Sequence, residues 1–491
     1  MAGLVSGPEH PEAPGADAEG VGPGAIPPGS ERRRFFISTS SVMTSNLVVA
    51  VLGGISLAIM TRQLGTSKYG EFVVALTFVS TATLFTDLGL NALTGREISR
   101  TPDRAREILG QTLGLRVCLS VLVVPIVALI AHFAYASSNS ELFLCVVIAS
   151  FAVPFDALRS VSLSYFVASI RNHVAATIAI LQQVLFVGSV VVILELGGGV
   201  LLCVTAYLAS TVISSICAYV WVVREVPYRP RFSGAEWRRI FTSSIGIGLI
   251  QLLNVLYLKA DTIILSIMTT SAQVGIYGFA YAIVSFYGAF ASIVMTSLLP
   301  ILTRARDVEL GPIVIRTVRH LVVISVMLAM LTWCFAPIAI RLVTGGTKYS
   351  AAYLPLAILA TAMVFTYLHV ALGVASVARN RHHRIVYVSV ACLVLNVVGN
   401  VVVIPHWGIN GSATVTLCSE AVALIGVAYV FRRDVGPSIP WTKVLLKPVL
   451  VGSALTLVFY FPLGSAGRGI VLTAVLAVCE AAAFLCILFL F

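Results

Sequence analysis

Charge is what this sequence has least of. Only 11% of its 491 residues are Asp, Glu, Lys or Arg, 58% are hydrophobic, and the mean hydropathy is +0.98. A soluble chain is about a quarter charged. A water-soluble fold of this length has no room to hide so much apolar surface, because much of any folded surface stays exposed. The natural solvent for that surface is lipid, so the chain reads as a polytopic membrane protein. Acids are scarcer than bases, 21 against 32. The excess does not point to nucleic acid. The bases fall in short clusters between apolar runs, the pattern by which a membrane protein sets its topology.

Other absences narrow the chemistry. None of the nine cysteines forms a CxxC pair and all lie in apolar runs, so they read as small buried hydrophobes rather than disulfides or metal ligands. There is no Walker loop, HExxH, GxSxG or aspartate-rich diphosphate motif, and no cofactor or metal is expected. The opening "MAGLVSGPEHPEAPGADAEGVGPGAIPPGSERRR" lacks an apolar core, so it is not a cleaved signal peptide. Its Gly, Pro and Ala bias predicts a disordered cytoplasmic tail over 1–35.

A helix needs about 20 apolar residues to cross the hydrocarbon core. That ruler places spans near 38–60, 70–92, 111–133, 142–168, 174–195, 199–223, 241–268, 274–301, 320–343, 353–377, 385–404, 409–431, 444–462 and 470–491, about fourteen in all. One set of alternate loops then carries Arg32 to Arg34, Arg96 to Arg106, Arg229 to Arg239, Arg304 to Arg319, Arg379 to Arg384 and Arg432-Arg433. The other set carries only Arg62, Lys68, Lys348 and Arg468. The asymmetry predicts both termini in the cytoplasm. All loops are short, which weighs against an enzyme working through a large outer domain.

Two turns resemble each other. "LGTSKYGEFVVALTFVS" (64–80) opens the second span and "MTTSAQVGIYGFAYAIVS" (268–285) the eighth. Gly70 matches Gly275 and Phe72 matches Tyr277, an offset of 205. Both turns fall on the outer side, which predicts a parallel repeat about an axis along the membrane normal, a known build of secondary transporters. The expected division is an N-lobe over 36–223, a cytoplasmic linker over 224–240, a C-lobe over 241–431 and two extra helices over 432–491. The stretch "PYRPRFSGAEWRR" (227–239) reads as a basic amphipathic lead-in to the seventh span, anchored by Trp237.

Ionisable groups deep in a bilayer are costly and usually face a bundle interior or a wet cavity. "PFDALRS" puts Asp156 and Arg159 three apart, on one helical face. They read either as a self-paired structural ion pair or as cavity-lining groups with the arginine free for an anion. Ser244, Gln251, Asn254 and Asp261 form one polar stripe on the seventh span. Lys259 lies about 200° around that helix from Asp261, so the two do not pair. It either snorkels outward or faces the cavity. Asp87 is expected to bond an inner-loop arginine. Glu420 and Glu480 are single buried acids, and Glu420 and Asp87 are the candidates for ion coupling. "RNRHHR" (379–384) reads as lipid-headgroup contact rather than a metal site.

At this point the residues carry a family likeness. "RQLGTSKYGEF" with "DLGLNALTGREISR", "KADTIILSIMTTSAQVGIYGFAYAI" and "NVVGNVVVIPHWGINGSATVTLCSE" resemble the bacterial oligosaccharide flippases, the Wzx-like polysaccharide transporters of the multidrug/oligosaccharidyl-lipid/polysaccharide (MOP) superfamily. The likeness runs from about 36 to 433. It implies an all-α membrane fold of two six-helix lobes around a central cavity, working by alternating access. It also implies a polyprenyl-linked sugar as cargo, moved outward from the cytoplasmic leaflet of a bacterial plasma membrane, with proton or sodium coupling. Membrane lipids and envelope-synthesis proteins are the other partners expected, and nucleic acid is not. Arg159 and Lys259 would hold the lipid phosphate, with Asp156, Asp261, Asn254 and Gln251 holding them or meeting sugar hydroxyls. Family members commonly have arginine where this chain has Lys259, and lysine holds a phosphate as a point charge without the bidentate fork. A cation-coupled drug exporter of the same superfamily, a membrane enzyme acting on polyprenyl-linked sugars and an envelope-complex scaffold are the alternative readings.

Overall fold

Lipid leaves the backbone only two ways to satisfy its polar groups, the helix and the closed barrel, and this chain takes the helix. A computed structural model describes residues 28–379, 383–435, 439–463 and 470–490. The bulk of the expected tail (1–27), Asn380 to His382 of "RNRHHR" and the loop holding Arg468 lie outside the described residues. The helices are α1 (Pro28–Asp87), α2 (Leu90–Arg100), α3 (Ala105–Tyr135), α4 (Ser140–Ser150), α5 (Ala152–Ala168), α6 (Asn172–Glu195), α7 (Val200–Glu225), α8 (Gly234–Met268), α9 (Ser271–Arg304), α10 (Asp307–Thr344), α11 (Tyr353–Ala378), α12 (His383–Asp434), α13 (Lys447–Leu463) and α14 (Ile470–Leu490).

Two of these helices are too long for one crossing. At 1.5 Å per residue the 60 residues of α1 would extend about 90 Å, three times the hydrocarbon thickness. Gly65, at φ 73 and ψ −176, breaks it into two crossings, and Gly408 divides α12 in the same way. Conversely, the expected span 142–168 is interrupted at Phe151. Pro154 has no N–H to donate to the carbonyl one turn back. Counted by crossing, every expected span has its helix. The chain is an all-α, multi-pass membrane protein.

Leu47, Val121, Phe133, Leu196, Ile425 and Leu457 are all more than 60% exposed, an outer surface suited to lipid rather than water. The ends of the bundle differ in charge. One carries the 65–70 and 269–275 turns and few arginines. The other carries the arginine clusters, and the two are called here the arginine-poor and arginine-rich ends.

The segment between α7 and α8 departs from its expected form. Residues 226–233 are extended rather than helical, because Pro227 and Pro230 cannot donate to a helix. They lie along α3, where the Arg231 N–H bonds the Gly110 carbonyl at 2.8 Å. Buried Tyr228 meets the Ser162 hydroxyl at 2.8 Å. Only from Gly234 does the segment join α8, with Phe232 and Trp237 edge to face.

Candidate functional site

In lipid, helices have no hydrophobic drive to associate, so close backbone approach at small residues and interhelical polar bonds carry much of the specificity. Both appear where the two halves meet. At the arginine-poor end a Cβ on Gly70 would stand 1.8 Å from the Ser271 carbonyl oxygen. One on Gly275 would stand 2.0 Å from that of Thr66, and one on Gly278 2.9 Å from the Val73 side chain. Gly278 and Val73 are separated by the offset of 205, and the other two contacts are one contact made twice, since Ser271 is the counterpart of Thr66 and Gly275 that of Gly70. The two turns noticed in the sequence therefore touch each other reciprocally, each contact matched by its counterpart, as a two-fold axis requires. Arg62 adds bonds to the last carbonyls of α10, at 2.9 Å to Val343 and 2.7 Å to Leu342. The Tyr349 hydroxyl donates to the Gly65 carbonyl at 3.0 Å, and Tyr135 meets Ser266 at 2.6 Å.

Towards the arginine-rich end the halves meet again. Asp87 closes α1, and Leu88 and Gly89 take positive φ of 39° and 80°. This break abuts α8, where a Cβ on Gly248 would fall 2.2 Å from the Leu88 carbonyl.

The N-terminal half holds a buried charge cluster beside that break. Arg116 of α3 is wholly buried. Its Nη1 donates to Asn91 Oδ1 at 2.9 Å and to the Ser160 hydroxyl, and lies 3.5 Å from Asp87 Oδ1. Its Nε and Nη2 have no hydrogen-bond partner among the described residues. Asp87 also accepts the Asn91 N–H at 3.1 Å, satisfying one open donor at the start of α2. The expected loop arginine is thus corrected: the cation of Asp87 is Arg116, inside the third span. Sequence reading missed Arg116, although the rule that singled out Arg159 applies to it equally.

Arg159 of α5 bonds Asp156 through Nη2 and Gln182 Oε1 at 2.7 Å through Nη1. Gln182 passes the chain on to Thr211 of α7 at 3.1 Å. Arg159 and Asp156 keep about a fifth of their side-chain surface exposed, 22% and 19%.

The C-terminal half divides the α8 stripe. Asn254 is exposed and Gln251 half-buried, whereas Ser244 and Asp261 are buried. Asp261 accepts the Thr262 N–H and the Tyr277 hydroxyl of α9, both at 2.6 Å, with Ser412 and Thr416 of α12 beside that hydroxyl. Lys259 takes no part in this set. Its Nζ lies 5.8 Å from the Tyr281 ring centroid, and it makes no ion pair among the described residues. Arg159 and Lys259 sit in opposite halves and are not in contact.

Glu420 of α12 is buried and held from two other helices. It accepts the Tyr257 hydroxyl of α8 at 2.9 Å, the Thr366 hydroxyl of α11 at 2.7 Å and His369 Nε2 at 2.7 Å. Tyr257, Thr366 and His369 carried no signal in the sequence, since nothing local ties them to a glutamate on another helix. Glu480 lies against the Cys334 thiol at 3.2 Å. Among the described residues, no three His, Cys, Asp or Glu side chains are grouped to hold a metal ion. An apolar groove of about 420 Å³ runs between α10, α11 and α13, lined by Met330, Trp333, Phe365, Val449 and Leu457 among others.

Known proteins resemble the chain as follows. Residues 37–306 match the model of a family described as polysaccharide biosynthesis protein. The probable low-salt glycan biosynthesis flippase Agl15 of Haloferax volcanii is 20% identical over 395 residues, 78% of this chain and 81% of that protein. Among solved structures, the lipid II flippase MurJ in an inward closed conformation superposes with a TM-score of 0.76 at 13% identity, covering 91% of this chain and 98% of that one. An inward-facing multidrug resistance transporter of the MATE family, in the MOP superfamily, superposes with a TM-score of 0.64 at 15% identity over 78% of this chain and 94% of its own. Those structural likenesses show the fold.

Proposed function

The chain belongs to the polysaccharide biosynthesis protein family, and from that premise we propose that it flips a polyprenyl-linked oligosaccharide across a membrane by alternating access. The observation that carries the reading is the pseudo-symmetric joint at Gly70 and Gly275. It sets backbone against backbone where the halves touch, ringed by the side-chain bonds of Arg62, Tyr135 and Tyr349, so closure there is made by contacts between the halves that an opening motion would break together. The Leu88–Gly248 contact is the matching joint at the arginine-rich end. Opening one while the other stays closed gives the two access states. We take the arginine-rich end as cytoplasmic, so cargo enters there and leaves at the arginine-poor end.

In this reading Arg159 and Lys259 hold the lipid phosphate from the two halves. Asp156 and Gln182 orient the guanidinium of Arg159, so little freedom is lost on binding. Lys259 rests against Tyr281 without an ion pair, which leaves its charge for an anion. Gln251 and Asn254, which keep exposed surface, supply polar groups for sugar, while Asp261 is held inside by Thr262 and Tyr277. The groove between α10, α11 and α13 has the apolar lining a prenyl tail needs. The relative from Haloferax volcanii, itself named a flippase, supports the same class.

The test is purified protein in liposomes with a fluorescent polyprenyl-diphosphate sugar whose outer-leaflet fraction is read by quenching. Transbilayer exchange should rise well above that of protein-free vesicles. Arg159→Ala and Lys259→Ala, each losing a charge-assisted bond, should each slow it by about tenfold or more. Wild-type rates in both variants at equal reconstitution would remove the phosphate assignment. Absence of exchange together with gradient-driven export of a cationic dye would replace the flippase reading by drug export.

A further inference from the structure

A chain of contacts runs from Arg159 to the joint at the arginine-rich end, and Arg116 is its middle link. Asp156, Arg159 and Ser160 share one face of α5. The Ser160 hydroxyl donates to the Asp156 carbonyl at 2.8 Å and meets Arg116 Nη1 of α3. The same Nη1 lies 3.5 Å from Asp87 Oδ1. Asp87 ends α1, and the next two residues press on α8. A Cβ on Gly89 would stand 2.7 Å from the Gly248 nitrogen and 2.8 Å from the Ser244 carbonyl oxygen. One guanidinium thus touches both the helix that carries Arg159 and the residue that leads into the joint.

This chain is balanced in charge but short of bonds. Asp87 and Asp156 offset Arg116 and Arg159, and both Asp156 and Arg159 lie near enough to act on the charge of Arg116. Arg116 is wholly buried, yet its Nε and Nη2 have no hydrogen-bond partner among the described residues. Those two nitrogens form the side edge of the guanidinium, whose parallel N–H groups fit both oxygens of one carboxylate. A buried donor edge left open is costly, and it calls for an explanation in function.

A phosphate on Arg159 upsets that balance. Asp156 bonds Nη2 of Arg159 and Gln182 bonds Nη1, so a phosphate meeting the exposed part of Arg159 comes to lie beside the Asp156 carboxylate. Two anions on one guanidinium repel, and more strongly away from water. Arg159 Nε, which also lacks a partner among the described residues, offers no relief, because it belongs to the same guanidinium. The side edge of Arg116 does offer it.

We propose that Arg116 is a positioning residue that carries the occupancy of Arg159 to the Leu88–Gly248 joint, its Nε and Nη2 taking over Asp156 when cargo phosphate binds Arg159. The proposal rests on the phosphate assignment of Arg159. With Asp156 on its side edge, Arg116 is held along both edges and fixes Asp87 in turn. That fixes the break at Leu88 and Gly89 and firms the joint. Loading therefore closes the arginine-rich end, the order of events that outward flipping needs. A ligand shifts an equilibrium only through contacts that differ between the states, and the differing contact here is Asp156 on Arg116.

The test reads the joint and the binding separately. Ser244 is buried at the joint. In a background without the nine native cysteines, Ser244→Cys is labelled in nanodiscs by a polar thiol reagent, with and without farnesyl diphosphate, whose binding is followed with the radiolabelled compound. The probe should slow labelling by about fivefold or more. Arg116→Lys keeps a cation for Asp87 but has no second donor edge. Without probe its labelling should stay within about twofold of the parent, and the probe should no longer slow it. By reciprocity it should bind the probe only about fivefold less tightly, whereas Arg159→Ala should weaken binding by about tenfold or more. Asp156→Asn, at a partly exposed position, should lose the protection in the same way, and it decides the matter if Arg116→Lys does not fold. A merely structural Arg116 would raise labelling equally with and without probe, and that unchanged ratio would overturn the proposal. Binding that leaves labelling of the parent unchanged would overturn it too, with the phosphate site intact. No binding to the parent, or full binding to Arg159→Ala, would remove the phosphate assignment and the proposal with it.

Discussion

Two of the three guanidinium nitrogens of Arg116 stand without a hydrogen-bond partner among the described residues, although the side chain is wholly buried. Each bare donor costs about 1–3 kcal/mol. Arg116 is retained because its remaining nitrogen ties together Asn91, Ser160 and Asp87, three groups on three helices beside the Leu88–Gly89 break. Arg116→Met should therefore destabilise the protein by about 3 kcal/mol, because Asp87 is left without its cation. Adding Asp87→Asn should recover most of that loss, since an amide needs no counter-charge. Thermal unfolding in nanodiscs checks both. An equal loss in the single and double variants would mean that the helix packing, not the charge, needs Arg116. At this scale the sequence identified a deep arginine correctly as something to explain at 159, but partners were legible only one turn away. Asp156 and Arg159 share a helix face, so their contact was expected. Asp87 and Arg116 belong to different helices, and their contact follows from how those helices pack.

At the scale of elements, hydropathy located every crossing, because each must satisfy its solvent along its own length. What it missed is where helices are interrupted. Gly65, at φ 73 and ψ −176, occupies a region essentially confined to glycine. Gly65→Ala should cost about 1–3 kcal/mol, although no atom lies within 4 Å of the new methyl. Gly54→Ala, also in open space but in ordinary helix, should be neutral or slightly stabilising. Comparing the two by unfolding in detergent separates backbone strain from loss of space. Equal effects would show that the turn tolerates a side chain. The 226–233 segment carries the same lesson. Its basic residues suited a surface helix, but its two prolines decided for an extended strip against α3.

At the scale of the molecule, the counterparts related by 205 residues meet at one joint. Pseudo-symmetry makes a quantitative expectation: Gly70→Ala and Gly275→Ala should act alike, each forcing apart the backbones by which the halves touch. Ser266, buried at this joint and bonded to Tyr135, reports on it. In a background without the nine native cysteines, Ser266→Cys should react with a polar thiol reagent severalfold faster when either glycine variant is added, a shift of about 1 kcal/mol in the closed population. Unchanged labelling in both would show that the arginine-poor end is held by Arg62, Tyr135 and Tyr349 rather than by the glycines. A change in only one would deny the symmetry of the joint.

The membrane class, the number of crossings and the existence of the repeat were determined by the sequence alone. Apolar length, loop charge and a recurring turn are properties of the chain read in order, and the bilayer acts on them locally. Which polar groups become partners was decided by the tertiary structure. Glu420 with His369 and Tyr257, Asp261 with Tyr277, and Asp87 with Arg116 each join different helices. Lipid offers those groups no hydrogen bond of its own, so each takes the partner that the packing of neighbouring helices within its own half brings within reach.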